Sequence, residues 1–474
     1  MNSIINRLER FNNVIVGLGS NLIGNMILFL TTMYITNNVT EDVYGQFRLV
    51  FAFVSILVIA LMMGRDSSIL YFYQKEKNDK VILEESFSGI ILVVIGCGLL
   101  YIFDVFFIKY VLSNKVSVEN YHLSLLMLPL WAAYNLLTPV VRVKGFINSS
   151  FILSNLLQRF LRFPFLFLFI YAGYNNFRGL AWSMILSQGI LLVILVMYLM
   201  RTLTWHSPQM TSFFTRFGYS FSLGMNAIML SVAGKIDVLL LGKLSTTSDV
   251  AIYDIVTSLA IVTLFPYIAL TKSFEPKLYG YFDNAKIQLP YRNNISLSFT
   301  LSVFAGLFFI LFGHEILSVF GNAYARGTVA LMLLAAIYTA VSCWGAVSEW
   351  MTMNGYAKYN FIILMSCGVI NISLCYILIP LWGLIGATIA LGISLISSKL
   401  AAFVFIQAKH SAIKLVANIQ QIIIFIITTA AAGYYSDSNF TLKVIVYILL
   451  MVAICISQKT IRIKISGILN RGVK

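Results

Sequence analysis

Residues 361–407 read FIILMSCGVINISLCYILIPLWGLIGATIALGISLISSKLAAFVFIQ, and Lys399 is the one charged side chain among them. Two apolar runs, 361–379 and 384–407, flank the junction Pro380-Leu381-Trp382-Gly383. A hydrocarbon core of about 30 Å takes roughly 20 helical residues to cross, so each run is long enough to span it. A bilayer offers no water to unpaired backbone groups, which makes both runs helices. The rest of the 474 residues has the same character: 59% are hydrophobic and 11% charged, against about 45–50% and about 25% in soluble domains. Mean hydropathy is +0.87. A chain this apolar cannot cover itself with polar surface. It reads as an integral membrane protein, which excludes a soluble enzyme, a nucleic-acid-binding protein and a secreted disulfide scaffold.

Outward from that hairpin, fourteen spans are expected, at about 11–36, 46–64, 87–108, 121–141, 150–171, 179–200, 218–242, 251–270, 294–313, 328–350, 361–379, 384–407, 413–433 and 442–458. The alternating ten-residue segments of a membrane barrel are absent. An even count returns the chain to its starting side. Of 33 lysines and arginines, 22 fall on the side of both termini and seven on the other, while Arg159, Arg162, Lys235 and Lys399 lie inside spans. The positive-inside rule therefore places both termini in the cytoplasm, and it accounts for the net charge of +15 without a nucleic-acid partner. Arg7 and Arg10 precede the first span, and no small-residue cleavage site follows a short apolar region, so that span is expected to stay as an anchor. Cys97, Cys343, Cys367, Cys375 and Cys455 all fall in apolar stretches and read as small buried hydrophobes. The four histidines have no metal-ligand spacing, and no metal is expected.

An internal repeat appears at an offset of about 206 residues. Glu41-Asp42-Val43-Tyr44-Gly45-Gln46-Phe47 follows the first span, and Ser248-Asp249-Val250-Ala251-Ile252-Tyr253 follows the seventh. An aromatic, basic segment then follows the next span in each half, Tyr71-Phe72-Tyr73-Gln74-Lys75 in one and Phe274-Glu275-Pro276-Lys277-Leu278-Tyr279 in the other. The expected organisation is a six-helix lobe over 1–205, a second over 206–410, and a C-terminal helix pair with a basic tail over 411–474. Six spans restore the starting side, so the copies are parallel, a plan in which transporters bind substrate between halves and rock them for alternating access.

Asn371-Ile372-Ser373-Leu374 with Leu378-Ile379-Pro380-Leu381-Trp382-Gly383-Leu384-Ile385-Gly386-Ala387 resembles the junction of helices 11 and 12 in polysaccharide exporters of the multidrug/oligosaccharidyl-lipid/polysaccharide (MOP) superfamily. Asp237-Val238-Leu239-Leu240-Leu241-Gly242-Lys243, then Asp249-Val250-Ala251-Ile252-Tyr253, is similar to its helix 7–8 junction. Within the superfamily the resemblance is to O-antigen or capsular repeat-unit flippases of the Wzx type. It implies an all-α, MATE-like fold in a bacterial inner membrane. The implied substrate is an undecaprenyl-pyrophosphate-linked oligosaccharide, moved from the cytoplasmic to the periplasmic leaflet for surface polysaccharide synthesis. The implied partners are membrane lipids, a periplasm-facing polymerase and other glycan-assembly proteins, with a monomer as the working unit.

The charged residues inside spans supply candidate sites, because such groups face a cavity or a partner. Arg159 and Arg162 sit near the middle of the fifth span, on one face by their i, i+3 spacing, with Pro164 just beyond. Two guanidiniums suit bidentate capture of pyrophosphate oxygens; pairing with carboxylates of other helices is the alternative. Lys235 and Asp237, two residues apart in the seventh span, point to different faces. Lys235 would add positive charge to the cavity. Asp237 is the candidate coupling-ion site for a proton or sodium, or a partner for an arginine of the fifth span, and both residues could instead be interfacial anchors. Lys399 is a weaker cavity candidate within snorkelling reach of the cytoplasmic face. Arg65 would meet the head group on entry or serve as an anchor, and Arg48, at the external end of the second span, is a weaker candidate for an exit site. Asp104, Asp254 and Glu349 read as helix-end caps or ion pairs, and the basic segments 272–292 and 459–474 as surfaces for anionic lipid.

No G-x-x-x-x-G-K-[ST] loop, H-E-x-x-H, G-x-S-x-G or Cys-x-x-Cys occurs, so neither an ATP site nor another cofactor is expected. External loops are short, which disfavours a glycan polymerase or ligase. The other alternative, a cation-coupled multidrug exporter of the same fold, needs acidic cavity residues, whereas the mid-span charges here are mostly basic. The expected role is that of a transporter, not an enzyme.

Overall fold

The computed structural model describes residues 2–204, 211–274, 278, 285–409 and 419–457. Among them every regular element is helical. Helices α1 (Asn2–Asn38), α2 (Glu41–Met62), α3 (Arg65–Glu76), α4 (Asp79–Ile102), α5 (Val118–Val143), α6 (Asn148–Tyr171) and α7 (Phe177–Thr202) lead to α8 (Thr211–Ala233) and α9 (Ile236–Leu244). Then come α10 (Thr247–Ala260), α11 (Phe265–Phe274), α12 (Ala285–Ser318), α13 (Thr328–Ser342), α14 (Val347–Met353), α15 (Ala357–Lys409), α16 (Ile419–Tyr434) and α17 (Phe440–Ser457).

Polar residues start the helices where the apolar runs begin. The side chain of Asn78 accepts from the Lys80 N–H at 2.9 Å, Ser117 from Asn120 at 3.3 Å, and Asn176 from Gly179 at 3.1 Å. Each satisfies one of the donors that a helix start leaves unpaired. Nine helices among the described residues are long and apolar enough to cross a bilayer, and two shorter apolar helices, Gln420–Tyr434 and Phe440–Ile454, follow. Backbone breaks explain part of the difference from fourteen runs. The 53-residue α15 contains Gly383 at φ 52°, ψ −123°, which divides it at the junction between the runs 361–379 and 384–407. The seventh run is interrupted at Gly234-Lys235, between α8 and α9.

Two compact units, Met1–Ala251 and Ile252–Lys474, divide the chain. In the first, α5 packs on α2, α4 and α7, and α6 packs on α1 and α7. Ile69, Ile82, Tyr134, Val140, Leu191 and Leu195 form a core shared by α3, α4, α5 and α7. Lipid tails remove the hydrophobic drive for helix association, so close packing and internally bonded hydroxyls matter instead. Ser183 is fully buried and bonds back to the Leu180 carbonyl at 2.7 Å, so it brings no unpaired polar group to the interface. Helices α8 and α9, which the sequence repeat assigns to the second lobe, pack in the first unit on α2. At the α2–α3 break Gly64 has φ 74°, and a Cβ there would fall 2.3 Å from the Ser220 carbonyl oxygen of α8. Only glycine fits that backbone crossing.

In the second unit α12 packs on α11, α13, α16 and α17. The Gln421 amide donates to Ser296 Oγ at 2.6 Å, Tyr447 OH to the Phe304 carbonyl at 3.3 Å, and Lys443 pairs with Glu315 at 2.6 Å. The C-terminal helices are therefore joined to α12 by specific polar bonds as well as by shape.

Candidate functional site

Helix α6 carries the two arginines expected to bind an anion. Its residues Ile152–Leu157 are π-helical, and regular α-helix resumes at Gln158 and continues through Pro164. The irregularity thus lies on the N-terminal side of the arginines, and π-bulges of this kind are frequent at functional sites. Arg159 Nη1 donates to Asn25 Oδ1 of α1 at 2.7 Å, and Asn25 in turn donates to Asn21 at 3.1 Å. The two helices touch at Gly24, where a Cβ would fall 2.1 Å from the Asn155 carbonyl oxygen. Arg159 is half-buried, and among the described residues its contact is this neutral amide, with no carboxylate.

One turn on, the Arg162 guanidinium lies 5.4 Å from the centre of the Phe47 ring. Phe47 stacks at 6.3 Å on Phe51, which stacks at 5.0 Å on Trp131 of α5. Arg48 lies over Phe51 at 5.1 Å. Arg48 and Arg162, separate candidates in the sequence, thus share one aromatic strip made by α2 and α5. A guanidinium over a ring face is held by the quadrupole without losing its charge.

The structure encloses Arg65 fully. Its Nη1 donates to Glu85 Oε2 at 2.8 Å, and Ser68 Oγ donates to the same oxygen at 2.6 Å. Arg216 of α8 bonds Glu84 at 2.9 Å and Glu76 at 3.1 Å, and lies 3.8 Å from Glu85. Lys80 approaches Glu84 at 3.8 Å. Sequence reasoning passed over Glu84, Glu85 and Arg216 as a group. The available signal was the adjacent acid pair Glu84-Glu85 just before an apolar run, since a bilayer-embedded carboxylate calls for a basic partner.

Lys235 occupies the break between α8 and α9, with φ −136° and ψ −8°, and is half-buried. Asp237, 6% exposed, lies in the first turn of α9 and accepts the Val238 N–H at 2.9 Å. Lys399 belongs to the second unit, where its Nζ donates to Tyr267 OH at 3.0 Å and Ser348 Oγ at 3.3 Å. Tyr267 OH donates to the Gly345 carbonyl at 3.1 Å, so Lys399 ends in a built polar cluster. Asp104 accepts the Val105 N–H and pairs with His122 at 2.9 Å. Residues 275–277 and 279–284 of the basic segment 272–292, the whole tail 459–474, and the side chains of Arg7, Arg10 and Cys455 lie outside the described residues.

The described residues thus form a bundle of long apolar helices with broken segments and interior basic residues. The chain is similar in structure to the lipid II flippase MurJ in an inward closed conformation, with a TM-score of 0.68 and 13% identity over 98% of this chain and 99% of that one. It is similar to an inward-facing MATE family multidrug resistance transporter of the MOP superfamily, with a TM-score of 0.65 and 16% identity over 84% and 98%. A MOP superfamily transporter from Pyrococcus furiosus aligns with a TM-score of 0.54 and 15% identity over 84% and 94%. The fold is that of the MOP superfamily, a multi-pass membrane transport fold. Residues 11–273, more than half of the chain, match the family described as polysaccharide biosynthesis protein, and the chain belongs to that family. No curated protein matches it in sequence.

Proposed function

We propose that the chain is a flippase of the Wzx type, moving undecaprenyl-pyrophosphate-linked oligosaccharides from the cytoplasmic to the periplasmic leaflet of a bacterial inner membrane by alternating access. Its family and its likeness to a lipid flippase along nearly the whole chain support that class. The observation that carries the substrate is Arg159, a half-buried charge in the membrane resting on an amide. An arginine so placed retains its attraction for a diphosphate, and its fork geometry suits bidentate contact. Arg162 would share the load from the same face. Lys235 and Arg48 would extend the positive field, while Arg65 and Lys399 would act through the groups they already bond.

Transport needs no ATP on this reading. The membrane potential contributes about 2.3 kcal/mol per charge per 100 mV, or roughly 4–5 kcal/mol for a doubly charged pyrophosphate moving to the positive side. Use of the product by a periplasm-facing polymerase would pull it further. Counterflow of a proton or sodium through Asp237 is the accompanying proposal, and transport insensitive to Asp237→Asn and to collapsed ion gradients would remove it. A drug exporter of the same fold is disfavoured by the excess of bases over acids among the mid-span candidates.

The test is the leaflet on which lipid-linked oligosaccharide accumulates in a strain lacking the protein. Cytoplasmic accumulation relieved by wild type supports the flippase. Periplasmic accumulation would place the block after flipping and favour a polymerase or ligase.

A further inference from the structure

Arg48 and Arg162 lie within membrane-spanning helices yet are half-buried, not enclosed. Guanidiniums are not left against lipid tails and face a cavity or a partner instead. The rings beneath them belong to the same strip. Phe47 is 1% exposed and serves as backing, whereas Phe51 and Trp131 are half-buried and stacked with planes 25° apart. Trp131 lies on the face of α5 that carries buried Met127, Leu128 and Tyr134, its i−4, i−3 and i+3 neighbours, and so points inward. Its indole N–H meets no acceptor among the described residues and is not sealed off.

A partly open aromatic surface with a donor at its edge and guanidiniums beside it has the chemistry that holds a pyranose. The sugar's C–H face packs on the ring, and its hydroxyls meet the polar rim. We propose that Phe51 and Trp131, flanked by Arg48 and Arg162, form a carbohydrate subsite that receives the sugar bonded to the pyrophosphate. This inference rests on the flippase reading and deepens it. Arg162 is about 4.5 Å along the helix axis from Arg159, so the strip begins where the anion site ends. That is the order in which pyrophosphate and first sugar are joined.

The experiment compares two water-soluble probes, a short-chain polyprenyl pyrophosphate bearing one sugar and the same compound without it, binding to purified full-length protein. Wild type is expected to bind the sugar-bearing probe more tightly. Trp131→Leu, which keeps an apolar side chain and loses the ring face, is expected to weaken that probe about tenfold, the equivalent of ~1.4 kcal/mol, and the bare pyrophosphate hardly at all. Trp131→Phe should retain most of the difference. Equal binding of both probes by wild type overturns the proposal whatever the variants do. So does equal weakening of both probes in Trp131→Leu. Sugar-dependent binding by a wild-type protein that moves no lipid would sink the flippase reading and leave the subsite standing.

Discussion

Two groups of arginines in the first unit show how one residue type serves opposite ends. Arg65 and Arg216, between α3, α4 and α8, are answered by Glu76, Glu84 and Glu85 at 2.8–3.1 Å. Arg159, on α6, is answered by the Asn25 amide at 2.7 Å. A buried charge with a buried counter-charge is held in place, and removing one partner leaves the other stranded at high cost. A half-buried charge on a neutral partner retains most of its field for something that arrives. The first arrangement ties helices together at the Gly64 crossing; the second is the one that the proposed function assigns to an anion.

That contrast can be broken experimentally, and the largest effect is expected at the ready site. Arg159→Ala/Arg162→Ala should lower the rate of lipid-linked oligosaccharide flipping by about 100-fold or more, because two charge-assisted bonds of ~1.5–3 kcal/mol each are lost. Its thermal unfolding and membrane accumulation should stay near wild type. Glu85→Ala should do the reverse. Stranding the fully buried Arg65 is expected to destabilise the protein by about 3–5 kcal/mol, read as a lower melting temperature in detergent. Arg65→Met/Glu85→Met, which removes both charges, should recover much of that loss. Gly64→Ala should cost about 1–3 kcal/mol in the same assay, since the new methyl meets the Ser220 carbonyl and the backbone has positive φ. The exposed pair of Arg178 with Glu119, at 59% and 73% exposure, is the smallest case. Arg178→Ala should change the melting free energy by less than about 1 kcal/mol and leave flipping unchanged.

The membrane class and the helical fold were legible because they depend on composition and run length alone, as residues 361–407 demonstrate. Arg159 and Arg162 stood out for a similar reason, since a charge inside an apolar run is visible without a partner. What surrounds them was not legible. Asn25 lies 134 positions from Arg159, and Glu84 lies 132 from Arg216. Which amide or carboxylate meets a given arginine is decided by helix packing, for which periodicity carries no code. The π-helical stretch Ile152–Leu157 and the break at Gly234-Lys235 also escaped, because neither interrupts the apolar run that contains it. The aromatic strip joins Phe47 and Phe51, one turn apart on α2, to Trp131 on α5. Only the first half of that relation can be read from spacing.

The most direct test of the contrast converts one kind of arginine into the other. Asn25→Asp places a carboxylate where Arg159 now meets an amide, at 2.7 Å and with almost no change in volume. In proteoliposomes containing a polyprenyl-pyrophosphate oligosaccharide, Asn25→Asp is expected to flip at least about tenfold more slowly than wild type while melting no lower. Flipping at the wild-type rate, with Arg159 now matched to a carboxylate, would contradict the assignment of Arg159 as the anion ligand.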